Sequence, residues 1–451
     1  MKSTFSLEKL LYALFAAYLI AIPSNAFLNL PHLGDKLQLP EILFLLISIV
    51  FGAYFGFSKT IQELKNWHFT AIDKGILAFC AAVCCSCLVH CTRASILEMI
   101  GLGYLMTFYL MMRLFFQNTP YNILDFTTRF FLISGFIVAV VGLVGWFMAT
   151  FLHIETLTAR LYINYPYLGD VYRVFAFTSH PVMLASFMGV CLLVLGIKSR
   201  MNPKNLSHFE WIAFSCMSMV EILTFTKSIV ALSACFLWLI DSFFYKNHRL
   251  VPKIITVSVA MILIFFVFMT HFIVIDTTKY DALPLEKRHF YHRSEAIPYV
   301  KIGNIYLIRT TYTLLKQNAF KAFLQHPITG LGGGNFESFC GEQKVKGLYP
   351  NYLETFDPHS SYMGALSELG LLGFAALMYL VFGIFTTFRQ VKKNSLLSEQ
   401  WFILGLGSVL IFMASEAMVT DIMNFRHYWV FFAVLSIMDT KNRLQFKNIN
   451  N

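Results

Sequence analysis

The sequence predicts an all-α, polytopic membrane protein of about twelve transmembrane helices, with one large polar loop on the outer side of the membrane. Three observations carry that prediction. Of the 451 residues, 57% are hydrophobic and only 13% charged, with a mean hydropathy of +0.62. Apolar runs long enough to cross a hydrocarbon core roughly 30 Å thick, about 20 residues each, recur along almost the whole chain. The basic residues between those runs gather at alternate ends, as the positive-inside rule requires.

Taken in order, the first run extends from Leu10 to about Leu28 and contains near its end Ser24-Asn25-Ala26, a faint imitation of a signal-peptidase site. The many runs behind it favour an uncleaved first helix. Spans are expected at about 10–29, 39–57, 75–92, 94–116, 127–151, 179–197, 209–226, 228–245 and 252–275. After a long interruption they resume at about 361–387, 401–420 and 427–438. Lys59, Lys65 and Lys74, then Lys198, Arg200 and Lys204, then Lys246, His248 and Arg249, fall on one side of this layout. Arg389, Lys392 and Lys393 join them, as do Lys441, Arg443 and Lys447, so that side is cytoplasmic and holds both termini. The chain divides accordingly into membrane helices one to nine (1–275), a large outer loop (276–360), and membrane helices ten to twelve with a tail (361–451).

The formal charge of +10 is accompanied by no zinc-finger spacing or RNA-binding signature, which excludes nucleic acid as the expected partner. Topology accounts for most of it, an anionic ligand for the rest. Cys80, Cys84, Cys85, Cys87 and Cys91 crowd one apolar helix and read as small packing residues, while Cys340 stands alone in the large loop and leaves it without an internal disulfide. No Asp-x-Asp pair, HExxH motif or Cys/His metal spacing occurs, which disfavours a metal-dependent site, and no cofactor is implied.

The two longest connections, 153–178 and 276–360, lie on the outer side. Long ordered loops are usually functional. Within the second, Ile305 to Leu324 has the spacing of an amphipathic helix. Arg173, His180 and Pro181 precede span six, Lys227 joins spans seven and eight, and Pro358-His359-Ser360-Ser361 opens span ten. Helix starts offer free amides and a positive dipole end, and Arg173, Lys227 and Arg309 add formal charge, so this surface suits a phosphate or diphosphate. The plainer readings are headgroup anchors for Arg173 and Lys227, and the polar face of its helix for Arg309. Arg288 and Arg293 belong first to a solvated cluster between Glu286 and Glu295, with Arg288 as a further cation for the same anion. Gly330 to Phe336 is a structural turn before it is an anion nest. His359 is either a cap at the membrane boundary or a general base able to deprotonate a sugar hydroxyl. Glu98, Glu221, Glu368 and Glu416 fall within spans, where carboxylates are costly. They are the one feature that favours a transporter, a reading that the absence of internal repeats and the one-sided grouping of the other polar residues weigh against.

His359-Ser360 followed at the right spacing by Gly370 and Gly373 resembles the histidine motif of the O-antigen ligase and polymerase superfamily of bacterial envelope glycosyltransferases. His326-Pro327 through Gly330-Leu331-Gly332-Gly333-Gly334-Asn335-Phe336 is similar to that family's loop signature with one extra residue before Phe336. Arg173 through Pro181 resembles its Arg, Phe, His-Pro segment, and Arg309 the arginine that opens its loop helix. Where the family has Thr-x-Ser-Arg, this chain reads Thr224-Phe225-Thr226-Lys227, keeping the charge and losing the bidentate fork. The resemblance implies transfer of a glycan from undecaprenyl diphosphate to a lipid A-core sugar hydroxyl at the periplasmic face of the bacterial inner membrane, without a metal. His359 would be the general base and Arg173, Arg309, Lys227 and Arg288 would hold the diphosphate, supported by His180, Ser360, Gly370 and Gly373. An O-antigen polymerase using the same donor, and a protein O-oligosaccharyltransferase, are the alternatives within that resemblance.

Overall fold

The computed structural model describes residues 2–24, 38–65, 67–154, 156–165, 169–201, 207–244, 251–282, 300–349, 355–394 and 400–450. Helices account for most of them: α1 (Lys2–Ala21), α2 (Leu39–Lys65), α3 (Ala71–Val89), α4 (Arg93–Gln117), α5 (Ile123–Phe151), α6 (Pro181–Met201), α7 (His208–Leu223), α8 (Ser228–Phe244) and α9 (Val251–His271). A five-residue α10 (Thr277–Asp281), α11 (Thr311–Gln325) and α12 (Phe336–Val345) lie in the large loop, followed by α13 (Ser361–Asn394), α14 (Gln400–Glu416) and α15 (Arg426–Asn450). By length and composition, five of the described helices can cross a membrane: α3, α4, α5, α13 and, over Leu39–Gly56, α2. Shorter apolar stretches lie in α6, α8, α9 and α14. The chain is thus a multi-pass membrane protein, mostly helical.

Local sequence explains where the helices start. Thr70 and Asp73 form a reciprocal capping box at the head of α3, and Ser207 and Glu210 form another at the head of α7. The α3–α13 pairing depends on small residues: a Cβ at Gly75 would lie 2.6 Å from the Leu380 Cα, and one at Gly383 would lie 2.5 Å from the Ala71 carbonyl oxygen. Buried charge is paired where it is structural. Arg113 of α4 binds the Asp73 carboxylate, with its other nitrogen on the His68 carbonyl (2.7 Å) and the Thr440 hydroxyl (3.1 Å), so α3, α4 and α15 are clamped at one end.

Two small sheets accompany the helices of this mostly helical chain. β1 (Ala159–Tyr165) and β2 (Gly169–Val174) form an antiparallel hairpin, with Arg160 opposite Arg173. β3 (Phe272–Asp276), β4 (Val300–Ile302) and β5 (Ile305–Arg309) form a sheet in the order β3-β5-β4. The ninth apolar run therefore ends as a helix at His271, and its last residues pair as a strand, Phe272 with Arg309 through Asp276 with Ile305. Likewise the expected helix from Ile305 begins only at Thr311, because 305–309 is β5. Both segments are rich in β-branched residues, and Ile273, Ile275 and Ile308 bury together against Tyr280 and Tyr306. The first helix also departs from its expected limits of about 10–29, running instead from Lys2 to Ala21.

Candidate active site

His359 sits in the short segment before α13, with a left-handed backbone (φ 47°). That conformation is uncommon for a side-chain-bearing residue. It is held by Asp357, whose Oδ1 accepts the His359 backbone N–H at 2.7 Å and the ring Nδ1–H in a second, short bond. With Nδ1 carrying the proton, Nε2 is left as an acceptor, and the imidazole keeps 27% exposure. Phe356 and Tyr312 of α11 flank the ring at 5.5 and 5.1 Å between centroids. The next residues are anchored to the end of α14: Ser360 Oγ and Ser361 N both donate to the Ala417 carbonyl at 3.0 Å, and Ser361 Oγ donates to Asp421 at 2.8 Å. Recession in the cleft would raise the Asp357 carboxyl, but the bonds from His359 outweigh this and hold it below its ordinary value.

Arg173, His180, Asp357 and His359 form one electrostatic neighbourhood. The His180 imidazole is pushed down to about 4, first by burial and then by the Arg173 and His359 charges, with Asp357 opposing. Arg173, at the inner end of β2, is 8% exposed; its Nε donates to the Thr224 carbonyl at 2.8 Å, and its guanidinium lies 4.6 Å from the Tyr162 ring centroid. Ala176 and Phe225, close in sequence to Arg173 and Lys227, share the left-handed backbone of His359. Strained residues of this kind concentrate at functional sites.

A second group of cations forms where α9 ends. Lys227 Nζ donates to the Met269 carbonyl, and burial pushes its ammonium down to about 8. Lys316 of α11, also lowered to about 8 by burial, donates to His271 Nε2 at 2.5 Å and to the Met418 carbonyl at 2.6 Å. Thr310 N and Thr313 Oγ1 bond the His271 carbonyl at 2.9 and 2.7 Å, seating the start of α11 on the end of α9. Arg309 closes β5, and its Nη1 reaches Gln317 Oε1 at 3.4 Å. Arg288 lies outside the described residues.

On the other flank of Asp357 is a cavity of about 220 Å³ whose lining includes the carboxyls of Glu98, Glu337, Asp357, Glu368 and Asp421. Burial, followed by the Glu98 and Asp357 charges, pushes Asp421 up to about 6. Ser361 and Met423 separate this acidic cavity from an apolar one of about 310 Å³ between α13, α14 and α15, which runs from Tyr362 towards Phe388.

Amides of the glycine-rich turn are directed to α13. Leu331 N and Gly332 N donate to the Ser367 and Glu368 carbonyls at 3.0 and 2.8 Å, and Phe336 N to Glu368 Oε1 at 3.1 Å. Those carbonyls are available because α13 kinks at Gly370 (φ 66°, ψ −159°), whose Cβ position would meet the Ile328 carbonyl oxygen at 2.4 Å. Gly373, three residues on, is also buried, and a Cβ there would meet the Leu369 side chain of the same helix at 2.0 Å. Asp357, Lys316 and His271 went unnoticed in the sequence. Asp357 carried a readable signal, an Asx position two residues before the histidine.

Fold and site together define a multi-pass membrane protein bearing a histidine–carboxylate pair between a cationic and an acidic flank. Residues 212–378 match the family model described as O-antigen ligase, which places that stretch in the O-antigen ligase superfamily of membrane glycosyltransferase-like enzymes. The matched stretch contains Lys227, Arg309, His359, Gly370 and Gly373, and stops short of Arg173 and His180. No curated protein matches the chain.

Proposed function

We propose that the protein is an O-antigen ligase, moving a glycan from undecaprenyl diphosphate to a sugar hydroxyl of lipid A-core on the periplasmic side of the bacterial inner membrane. The observation that carries this reading is the Asp357-bound His359, with Nε2 left as an acceptor, inside the stretch that matches the ligase family, while Arg173, outside that stretch, acts on the same His180 as His359 does. His359 takes the acceptor proton as the acceptor oxygen bonds to the anomeric carbon and the bond to the diphosphate breaks. Asp357 steadies the imidazolium. The charge growing on the leaving diphosphate is balanced by Arg173, Lys227, Arg309 and Lys316, with Arg288 in the same proposed set and no metal in the step. Electrostatics direct the diphosphate away from the carboxylate-lined cavity, leaving that flank to an uncharged part of the acceptor. The apolar cavity that starts at Tyr362 offers a hydrocarbon chain a route towards the bilayer. All twelve apolar runs crossing the membrane, with both termini cytoplasmic and 276–360 outside, is part of the same proposal.

The test is a chromosomal deletion complemented with wild type or His359→Ala, followed by gel analysis of lipopolysaccharide. The expected result is bare core with accumulated lipid-linked polymer in the variant, and a loss of about 10²–10⁴ in transfer rate by purified protein. Core capped with a single repeat would assign the polymerase activity instead. Normal capping by His359→Ala would remove the base from the mechanism.

A further inference from the structure

Five carboxylates are buried among the described residues: Asp73, Glu210, Glu221, Glu416 and Asp439. Three have a basic partner, Asp73 with Arg113, Glu210 with Lys198 and Asp439 with Arg443. Glu221, near the end of α7, and Glu416, the last residue of α14, have no such ion pair among the described residues. They lie close enough to repel one another. Both oxygens of Glu221, which is 2% exposed, and Oε1 of Glu416, which is 0% exposed, lack a hydrogen-bond partner there. Hydroxyls surround the remaining oxygen: Tyr428 is 3.4 Å from Glu416 Oε2, Ser186 bonds Tyr428 at 2.9 Å, and Ser186 and Ser228 address the Glu416 carboxyl. Two bare negative charges at this depth are too costly to persist, so the pair has to be neutralised by protons or by a bound cation.

We propose that Glu221 and Glu416, with the hydroxyls of Ser186, Ser228 and Tyr428, form a buried site for a monovalent cation, sodium or a proton in its place. The donors are oxygen, the choice of a hard ion, and among the described residues no three His, Cys, Asp or Glu groups converge as a transition metal would need. The site joins two helix ends that matter. Thr224, whose hydroxyl bonds the Glu221 carbonyl at 2.6 Å, accepts the Arg173 guanidinium on its own carbonyl. Ala417, next to Glu416, accepts Ser360 and Ser361 beside His359. Filling the site holds the anion-facing and base-carrying halves in register; this consequence rests on the ligase reading, the cation site does not.

The test is thermal unfolding of the purified full chain in detergent, in sodium chloride or choline chloride at equal ionic strength and at pH 6 to 9. Tyr428 and His427 of α15 and Cys235 of α8 also face the pair, so the comparison is with Glu221→Gln and Glu416→Gln at each pH. Sodium is the occupant if it raises the wild-type midpoint by several degrees in a saturable way and the Gln variants lose that response. A proton is the occupant if sodium has no effect, the wild type loses stability as pH rises in choline, and the Gln variants do not. A wild type that matches both variants under every condition overturns the site. Repeating the series in His359→Ala, which cannot transfer glycan under the ligase reading, separates failure of this site from failure of that reading.

Discussion

His359 departs from the usual backbone range, and Asp357 is what holds it there. One oxygen takes both the main-chain and the ring N–H, so the carboxylate fixes the residue's conformation and its tautomer together. Asp357→Asn keeps the size but loses the charge that stabilises an imidazolium; a fall of about 10–100-fold in transfer rate at unchanged protein abundance is expected, by analogy with the loss of a carboxylate behind other working histidines. The cations give a second measurable consequence. Lys227 and Lys316 are both lowered to about 8, so raising the pH through that value removes their charge, and donor KM should rise above pH 8. Lys316→Gln should raise KM at pH 7 and flatten this limb, as read by steady-state kinetics across pH. His359 and Arg173 were legible in the sequence as residue types beside predicted helix starts. Lys316 and His271 were not, because pairing between strands distant in sequence brings them together, and no local pattern records that.

Among the elements, α13 matters most for the site. Its break at Gly370 exposes carbonyls that the glycine-rich turn occupies, and both partners need residues without a Cβ: at Gly330 (φ 68°) a Cβ would lie 2.2 Å from the Glu368 carbonyl carbon. Gly370→Ala should cost at least about 2 kcal/mol, seen as a lower unfolding midpoint and reduced abundance, since strain at such a position is worth about 1–3 kcal/mol before the clash is counted. The helices themselves were readable from apolar run length, including the tight turn between α3 and α4. The strands β3 and β5 were not: in β3, the four apolar residues Phe272 to Ile275 continue a span and look the same whether they go on as helix or turn into an edge paired with a distant segment. The β-branched and aromatic content of Ile305-Tyr306-Leu307-Ile308 was the available cue, and the helical spacing downstream overrode it.

For the whole molecule, the site and the clamp occupy different ends. Arg113 and Asp73 bind α3, α4 and α15 at one end of the bundle, and the His359 segment, Arg173 and Lys316 gather at the other. If the bundle is oriented as proposed, single cysteines introduced at 173, 309 and 359 in a cysteine-free background should all react with a membrane-impermeant maleimide applied from the periplasm. Labelling at one of them only from the cytoplasm would overturn the layout.

Ala417 and Met418 come well after Ser360, Ser361 and Lys316 in sequence, yet their carbonyls receive these donors. A nascent polypeptide whose α14 has not yet left the ribosome has nothing to which these donors can attach. Synthesis is thereby its own safeguard, since a half-inserted chain has no organised centre.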